Sequence, residues 1–332
     1  MYAGVDIAKA TFEAAVHGAD ECCRFGGFAN TEVGFEQLAE VLTRKSEQLG
    51  VGIHLVVEPT GGYELALVAF ARERGWQVSM VNPRKVRDWA KGTGWRAKTD
   101  GQDALMLSAY GAACHPAPQQ GLPANAQELD NLLRRKDDLA KMLREERNRQ
   151  ESLGRPGMSA AVPASIGRVV DALEKELAQV EGLIREHIAG DEELKGHLSR
   201  LIQVPGIGER NAPHILVFLY RWRATTGGEG QAKGLVAYTG IDPKPYVSGT
   251  SVRRRAGISR MGSSEIRQRL YMSALGGVHG DNALRAFYQR LVGRGKAKKL
   301  ALVAASRKIL VWAWAVFCQK ADFDPARAGA IT

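Results

Sequence analysis

Cysteine is scarce in this sequence, and the usual marks of secreted and membrane proteins are missing. The four cysteines form no C-x-x-C spacing, which argues against a disulfide framework or a zinc ribbon. The longest uninterrupted apolar run, residues 309–318, is about half of the ~20 residues that a membrane-spanning helix needs. The first residues contain neither a basic nor an apolar signal region. We therefore expect a cytoplasmic protein with reduced thiols and no membrane partner.

Acidic residues are few in the last part of the chain. Residues 201–332 hold 21 of the 46 Lys and Arg residues but only 7 of the 36 Asp and Glu residues. A one-sided basic surplus is typical of a nucleic-acid-binding surface, because Lys and Arg release counterions from phosphates. A solvated basic surface is the alternative that charge alone leaves open.

The first hundred residues predict an α/β domain. Three successive strands are followed by helices and strands in alternation, giving the order β-β-β-α-β-α-β-α. The predicted strands are residues 2–7, 11–16, 22–28, 52–57 and 76–81, and the predicted helices include residues 31–47, 61–74 and a last one from Asp100. This is the element order of an RNase H-like domain.

A proline-rich stretch near residues 115–123 predicts a domain boundary, and helical patterns follow it. One predicted helix has six apolar residues at 4-3-4-3-4 spacing, an a/d seam of about three heptads. They are Ile166, Val170, Leu173, Leu177, Val180 and Ile184. The seam fits an antiparallel helical arm or an intermolecular coiled coil, and the spacing leaves both open. We predict an α/β domain over 1–115, a helical coiled-coil arm over 116–200 and a mainly helical domain over 201–332.

Four carboxylates occupy positions where they could converge. Asp6 and Glu58 each end a predicted strand, and the two strands are neighbours in an RNase H-like sheet. Asp100 and Asp103 are three residues apart and share one face of the last helix of that domain. Four acids together repel one another unless cations neutralise them. The sequence therefore predicts a site for Mg²⁺ or Mn²⁺, of the kind that supports phosphodiester cleavage.

A structural role for these acids is the alternative. Thr99 and Gln102 have the spacing of a helix capping box, and an acid such as Asp100 is favoured by the dipole at a helix N-terminus.

A second constellation combines serine, glycine and arginine. Ser248 precedes a run of three arginines, with a fourth close behind. The four are Arg253, Arg254, Arg255 and Arg260. Arginines bind phosphate through paired hydrogen bonds, and a nearby hydroxyl could attack phosphorus. The residues alone favour a polar loop whose arginines bind phosphate without chemistry.

Two further features suggest phosphate contacts. Gly206 and Gly208 lie in Val-Pro-Gly-Ile-Gly, which is typical of the hairpin in a helix-hairpin-helix element, or of an ordinary turn. Lys296, Lys298 and Lys299 add basic charge near the start of a very apolar helix over about 298–317. This basic surface either contacts DNA or is merely solvated.

Taken together, six strings resemble the DEDD transposases of the insertion-sequence 110 family, relatives of the Piv-type DNA invertases. They occur in the family's order over nearly the whole chain. They are Gly4-Val-Asp-Ile-Ala-Lys9, Val57-Glu-Pro-Thr-Gly61, Val81-Asn-Pro83, Lys98-Thr-Asp-Gly-Gln-Asp-Ala104, Pro205-Gly-Ile-Gly208 and Tyr246-Val-Ser-Gly-Thr-Ser-Val-Arg253.

The resemblance implies a RuvC-like domain whose Asp6, Glu58, Asp100 and Asp103 bind metal. It implies that Ser248 is a nucleophile that becomes covalently joined to DNA. It also implies donor and target DNA as substrates, a structured guide RNA (bridge RNA), and a dimer or synaptic tetramer that acts at the nucleoid. We predict an RNA-guided recombinase; the alternatives are a RuvC-like junction nuclease and a non-catalytic helix-hairpin-helix binder.

Overall fold

The computed structural model describes residues 1–17, 22–95, 100–152, 159, 161–248 and 252–328. They fall into two compact units. The first is Met1–Gly121 with Ala224–Glu229, and the second is Leu122–Arg223 with Gly230–Thr332. The division into three domains at residues 115 and 200 stays a prediction.

The first unit is built on a five-stranded mixed sheet with the strand order β3-β2-β1-β4-β5. The strands are β1 (Tyr2–Ile7), β2 (Thr11–His17), β3 (Cys22–Ala29), β4 (His54–Val57) and β5 (Gln77–Met80). The helices are α1 (Glu32–Leu49), α2 (Leu65–Glu73), α3 (Pro83–Gly92) and α4 (Asp100–Cys114). Strand β1 is antiparallel to β2 and parallel to β4. This mixed topology agrees with the prediction of an RNase H-like domain.

The largest difference from a predicted start is in helix α2, and the other predicted elements of this unit begin within two residues of their predicted positions. Helix α2 begins at Leu65, whereas the sequence pattern predicts a helix from residue 61. Gly61 and Gly62 have φ angles of 68° and 102°, which lie outside the α-helical region, so the chain makes a turn before the helix begins.

The two faces of the sheet carry different layers. One face, with Val5 and Val57, packs on the apolar sides of α1 and α2 and forms the larger core of the unit. The other face carries a smaller cluster in which Val56 meets Val86 of α3 and Leu107 of α4. Alternate residues of a strand point to opposite faces, so residues two apart from Val56 share the face of α3 and α4.

The described residues of the second unit are mainly helical and include a β-hairpin. Its helices are α5 (Ala124–Glu151), α6 (Ala161–Ala189), α7 (Glu192–Leu201), α8 (Ala212–Thr225), α9 (Ala232–Thr239), α10 (Ser264–Gly277), α11 (Ala283–Gly293), α12 (Lys298–Gln319) and α13 (Pro325–Ala328). The hairpin strands are β6 (Pro243–Ser248) and β7 (Val252–Ile258).

Helices α5 and α6 pack against each other in antiparallel fashion. Ion pairs join Lys136 to Glu181 at 3.0 Å and Arg147 to Glu174 at 2.7 Å. A later residue of α5 thus pairs with an earlier residue of α6, as expected for antiparallel helices. Val180 and Ile184 of the predicted seam lie in the core that contains Leu133 and Leu139. The seam therefore packs within the chain, and a coiled coil between chains stays a prediction.

Helix α12 is long and apolar enough to span a membrane, but 61% of its most apolar segment is buried inside the protein. Ala305, Ile309 and Leu310 are fully buried in the core of the second unit. This burial is typical of the central helix of a folded domain.

Candidate active site

Strands β1 and β4 carry the first two predicted acids to one place. The parallel register pairs Val5 with Val57. Asp6 is the next residue of β1, and Glu58 is the first residue after β4. Both share the sheet face of Gly4 and Val56, since they lie two residues further along. Both side chains are partly exposed. The register thus brings these two carboxylates side by side at the carboxyl end of the strands.

Helix α4 crosses this face at unusually close range. A Cβ on Gly4 would lie 2.1 Å from the carbonyl oxygen of Ala104 and 2.3 Å from the amide nitrogen of Ser108. The Ser108 hydroxyl donates to the Tyr2 carbonyl at 2.8 Å and accepts from the His17 amide at 2.6 Å. Helix α4 therefore runs in the direction opposite to β1, because Ser108 contacts Tyr2 and Ala104 contacts Gly4. The first turn of α4 consequently lies toward Asp6.

Asp103 comes to the acids through this helix. Asp103 precedes Ala104, whose carbonyl lies against Gly4. The charge of Asp103 raises the pKa of Glu58, so the two carboxylates interact electrostatically. Asp100 begins α4 one turn earlier, but its side chain lies outside the part of the chain that the structure describes. Three of the four predicted acids are therefore brought together, and the role of Asp100 stays a prediction.

The environment of Glu58 is unfavourable for a carboxylate. Burial raises the pKa of Glu58, the positive charge of Arg87 lowers it, and the charges of Asp6 and Asp103 raise it further. Glu58 Oε1 is buried and has no hydrogen-bond partner among the described residues. A divalent cation would satisfy this oxygen and neutralise the neighbouring acids, and oxygen ligands suit Mg²⁺ or Mn²⁺. The residues present therefore fit a metal site.

The loop after Glu58 is held by a second acid that sequence analysis missed. The Glu64 carboxylate accepts hydrogen bonds from the Thr60 amide at 3.0 Å and the Gly62 amide at 2.9 Å. The Thr60 hydroxyl in turn donates to the Glu58 carbonyl at 3.1 Å. Glu64 is only 4% exposed. The only sequence signal was the adjacent pair Gly61-Gly62, whose turn leaves backbone donors that need an acceptor.

A cluster in the second unit also escaped sequence analysis. Ligand atoms of Asp137, His214 and Glu265 lie within 4.8 Å of one another. Arg269 already joins the acids, with its guanidinium 2.5 Å from Asp137 and 2.9 Å from Glu265. Burial alone would raise the pKa of Asp137, but hydrogen bonds and charge from His214 and Arg269 lower it to about 2. A cation is already present, so this cluster is better explained as an ion-pair network than as a metal site.

Ser248 and the arginine run lie on the two strands of a hairpin, where the sequence pattern predicts a loop. The backbone of Ser248 pairs with Val252, and Val247 and Tyr246 pair with Arg253 and Arg254. The side chains of Ser248, Arg253, Arg254 and Arg255 lie outside the described part of the chain. Their predicted roles stay predictions.

Arg260 follows the hairpin on the protein surface. It has the left-handed φ of 56°, which is uncommon for a residue other than glycine. Burial lowers the pKa of Arg267, and the charge of Arg260 lowers it further. Two guanidinium groups thus lie within electrostatic reach of each other, an arrangement that an anion would stabilise.

The predicted hairpin glycines differ in their surroundings. Gly206 has φ of 92°, and a Cβ on it would lie 2.4 Å from the carbonyl oxygen of Ser273 in α10. Gly208 is exposed, and nothing lies within 4 Å of a Cβ built on it. Gly206 is therefore required for close packing between the α7–α8 turn and α10, and a helix-hairpin-helix contact with phosphate stays a prediction.

The predicted basic surface of α12 lies at the start of that helix. Lys296, Lys298 and Lys299 are exposed, and the N-cap residue Ala297 supplies no side-chain hydrogen bond. The positive end of the helix dipole repels lysines at a helix N-terminus. An anion bound there is stabilised both by the dipole and by the lysine charges.

Comparison with known proteins identifies the family. Residues 3–153 match a transposase model of the DEDD IS110 type, and residues 198–289 match the transposase model of the IS116/IS110/IS902 family. The pilin gene-inverting proteins of Moraxella lacunata and Moraxella bovis are each 33% identical to this chain over 330 residues, with 97% of both sequences covered. An uncharacterized 42 kDa protein of insertion element IS900 from Mycobacterium paratuberculosis is 26% identical over 199 residues, 58% of this chain and 47% of that protein. These matches confirm the resemblance, and this chain belongs to the IS110 family of transposases, which are DNA-recombining enzymes.

Proposed function

We propose that this chain is a divalent-metal-dependent, RNA-guided recombinase that cuts and rejoins donor and target DNA through a covalent bond to Ser248. The observation that carries the proposal is the state of Glu58. Its buried Oε1 has no hydrogen-bond partner among the described residues, and the charges of Asp6 on β1 and Asp103 on α4 act on the same carboxylate. An arrangement of this kind is destabilising by itself and becomes favourable around a bound cation.

Asp6, Glu58 and Asp103, with Asp100, would hold the metal. When bound, Mg²⁺ or Mn²⁺ supplies charge neutralisation at the scissile phosphate and support for the attacking and leaving oxygens. The protein's own part is to keep the carboxylates on rigid elements. Asp6 and Glu58 are fixed by strand register, and Asp103 by the packing of α4 on Gly4.

Ser248 is the proposed nucleophile. Its Oγ would form a bond to the phosphorus as one phosphorus–oxygen bond of the DNA strand breaks, and the serine proton would pass to the leaving oxygen, which becomes a hydroxyl end. Attack by a hydroxyl end of the partner strand reverses these changes, returns the proton and releases the serine. No external energy source is needed, because the phosphoserine bond keeps the energy of the original diester.

Nucleic-acid contacts are assigned to basic residues and two glycines of the second unit. Arg253, Arg254, Arg255 and Arg260 would bind phosphates near Ser248, and Gly206, Gly208, Lys296, Lys298 and Lys299 would bind phosphates elsewhere on donor DNA, target DNA or guide RNA. Base pairing by the RNA would supply sequence specificity. A homodimer or tetramer would bring two DNA partners into one synaptic complex.

The proposal is tested with nicked donor DNA, taken from the sequence flanking the gene, together with RNA transcribed from the adjacent non-coding region and Mg²⁺. Denaturing gels report any DNA-linked protein. The wild-type chain should give an adduct, and Ser248→Ala should not. Ser251→Ala is the matched control, because it removes a hydroxyl from the same segment, and its adduct should persist.

The alternatives give different results. Cleavage without an adduct that survives Ser248→Ala would indicate a RuvC-like junction nuclease. Binding without cleavage in Mg²⁺ and RNA would indicate a non-catalytic binding protein. Equal adduct formation with and without the RNA would contradict RNA guidance while leaving the serine mechanism in place.

A further inference from the structure

Helix α3 begins beside the acids of the first unit. Strand β5 is parallel to β4, and the amide of Val81 donates to the Val57 carbonyl at 2.8 Å, so the end of β5 lies next to the residue before Glu58. Helix α3 starts two residues later at Pro83. The Asn82 side chain caps it by accepting from the Arg84 amide at 2.9 Å. The start of α3 is thus fixed at the same sheet edge as the acids.

The orientation of α3 is fixed by its apolar face. Val86 and Ala90 are buried, and Val86 packs with Val56 and Leu107. The ring of Trp89 meets Tyr110 of α4 edge to face, with centroids 5.6 Å apart. Residues on the opposite side of the helix must therefore face outward.

The outward side of α3 is basic. Three exposed basic residues, spaced three and four positions apart, lie on one face of the helix: Arg84, Arg87 and Lys91. Asp88 is the acid on this face. We call Arg84, Arg87 and Lys91 the basic face of α3. Their Cα atoms extend about 10 Å along the helix at about 1.5 Å per residue, which is long enough to follow more than one phosphate of a strand.

This concentration of positive charge is local. Residues 84–98 contain six of the twelve Lys and Arg residues of positions 1–121, and Asp88 is the single acid among them. The surplus that sequence analysis assigned to nucleic acid lies in residues 201–332, so the basic face of α3 is a separate feature. Its location is informative, because carboxylates that cut DNA also repel it, and a strand held over them needs cations beside the acids.

We propose that the basic face of α3 binds the backbone of the DNA strand that lies over Asp6, Glu58 and Asp103. The inference rests on the proposed function, because it takes DNA as the substrate of these acids. Arg87 is the member closest in effect to the site, since its charge acts on Glu58. Bound in this way, a guanidinium can donate two hydrogen bonds to one phosphate. A guide RNA on this face is a different hypothesis that the experiment must separate.

The experiment measures how affinity for DNA depends on salt. We titrate three proteins with a labelled, nicked duplex of arbitrary sequence between about 50 and 200 mM salt. They are the wild-type chain, the single variant Arg87→Gln, and the triple variant Arg84→Gln/Arg87→Gln/Lys91→Gln. The matched control is Arg44→Gln. Arg44 is exposed on α1, and helix α1 packs on the opposite face of the sheet from α3. Circular dichroism verifies the fold of each variant.

The slope of log affinity against log salt is negative, and each lost phosphate contact should reduce its magnitude by about 0.7–0.9. The magnitude should therefore fall by about 2–3 in the triple variant and by about 0.7–0.9 in Arg87→Gln. Arg44→Gln should match the wild type. A triple-variant slope unchanged within about 0.3 overturns the inference. A change seen with single-stranded RNA and not with DNA overturns it as well.

The two proposals can fail separately. If the wild-type chain forms no adduct and cuts no donor DNA, while the slopes change as expected, the proposed function fails and the surface stands. If the wild-type chain forms the adduct and the slopes do not change, the function stands and the surface fails.

Discussion

Gly4 lies so close to α4 that a Cβ on it would stand 2.1 Å from the carbonyl oxygen of Ala104. The two nearest atoms, the Ala104 carbonyl oxygen and the Ser108 amide nitrogen, belong to the backbone, so they cannot rotate away as a flexible side chain would. This one contact couples strand β1, which carries Asp6, to the helix that carries Asp103. The shape of the acid cluster therefore depends on a residue that has no side chain.

Gly4→Ala should displace α4 and weaken the site. Overpacking of this kind typically destabilises a protein by about 1–3 kcal/mol, and a clash with backbone should reach the upper part of that range. The measurement is urea unfolding together with Mn²⁺ affinity. Gly52→Ala is the matched control, because nothing lies within 4 Å of a Cβ built on Gly52. Unchanged stability and Mn²⁺ affinity in Gly4→Ala would show that α4 is not held by this contact.

Glu64 should act as a positioning residue for Glu58. Glu64→Ala leaves the Thr60 and Gly62 amides without their acceptor, which should cost about 1–3 kcal/mol and weaken Mn²⁺ binding. Glu64→Gln retains an acceptor oxygen and should recover a large part of both losses. Glu73→Ala, an exposed acid of the following helix, is the control. A stability loss in Glu64→Ala with normal Mn²⁺ affinity would restrict Glu64 to a structural role.

Glu58→Gln should stabilise the metal-free protein. The substitution removes a half-buried charge that is repelled by Asp6 and Asp103, and we expect the free energy of unfolding in chelator to rise by about 1 kcal/mol. Because the pKa of Glu58 is raised, its ionisation costs stability as the pH rises above its ordinary value of 4.5, and the substitution should remove that loss. Unfolding with chelator and with Mg²⁺ measures both effects. A loss of stability in chelator would show that Glu58 is a favourable structural residue.

Asp137 should make the second unit sensitive to acid. Its pKa is lowered to about 2 from 3.8, so its contribution to stability is present above about pH 4 and is lost as the pH falls toward 2. Asp137→Asn should reduce the unfolding free energy at neutral pH by about 1–2 kcal/mol, a value limited by partial exposure, and flatten this acid response. Asp138→Asn, its exposed neighbour on α5, should do neither. Identical pH profiles for the two variants would contradict the network.

Part of the site could be predicted from sequence because it depends on local rules. Asp6 and Glu58 end neighbouring strands, and Asp103 lies at helical spacing from Asp100, so an element order was enough to bring them together. The backbone register places the first pair side by side, since Val5 pairs with Val57, and their role as metal ligands stays a prediction.

The remaining features depend on contacts that local patterns do not record. Glu64 works through the shape of a glycine turn. Asp137, His214 and Arg269 come from three helices that are distant in sequence. The β6–β7 hairpin was hidden because its arginines and glycines obscure the apolar alternation of a strand. The basic face of α3 was overlooked because it lies in the half of the chain with an acidic balance.

The central claim is that the acids of the first unit bind the divalent ion needed for DNA cleavage, and Mn²⁺ titration followed by electron paramagnetic resonance tests it directly. We expect the wild-type chain and Asp137→Asn to bind Mn²⁺ alike, and Glu58→Gln and Asp103→Asn to lose or greatly weaken this binding. Normal binding in Glu58→Gln and Asp103→Asn, with loss in Asp137→Asn, would contradict it and move the metal to the cluster of the second unit.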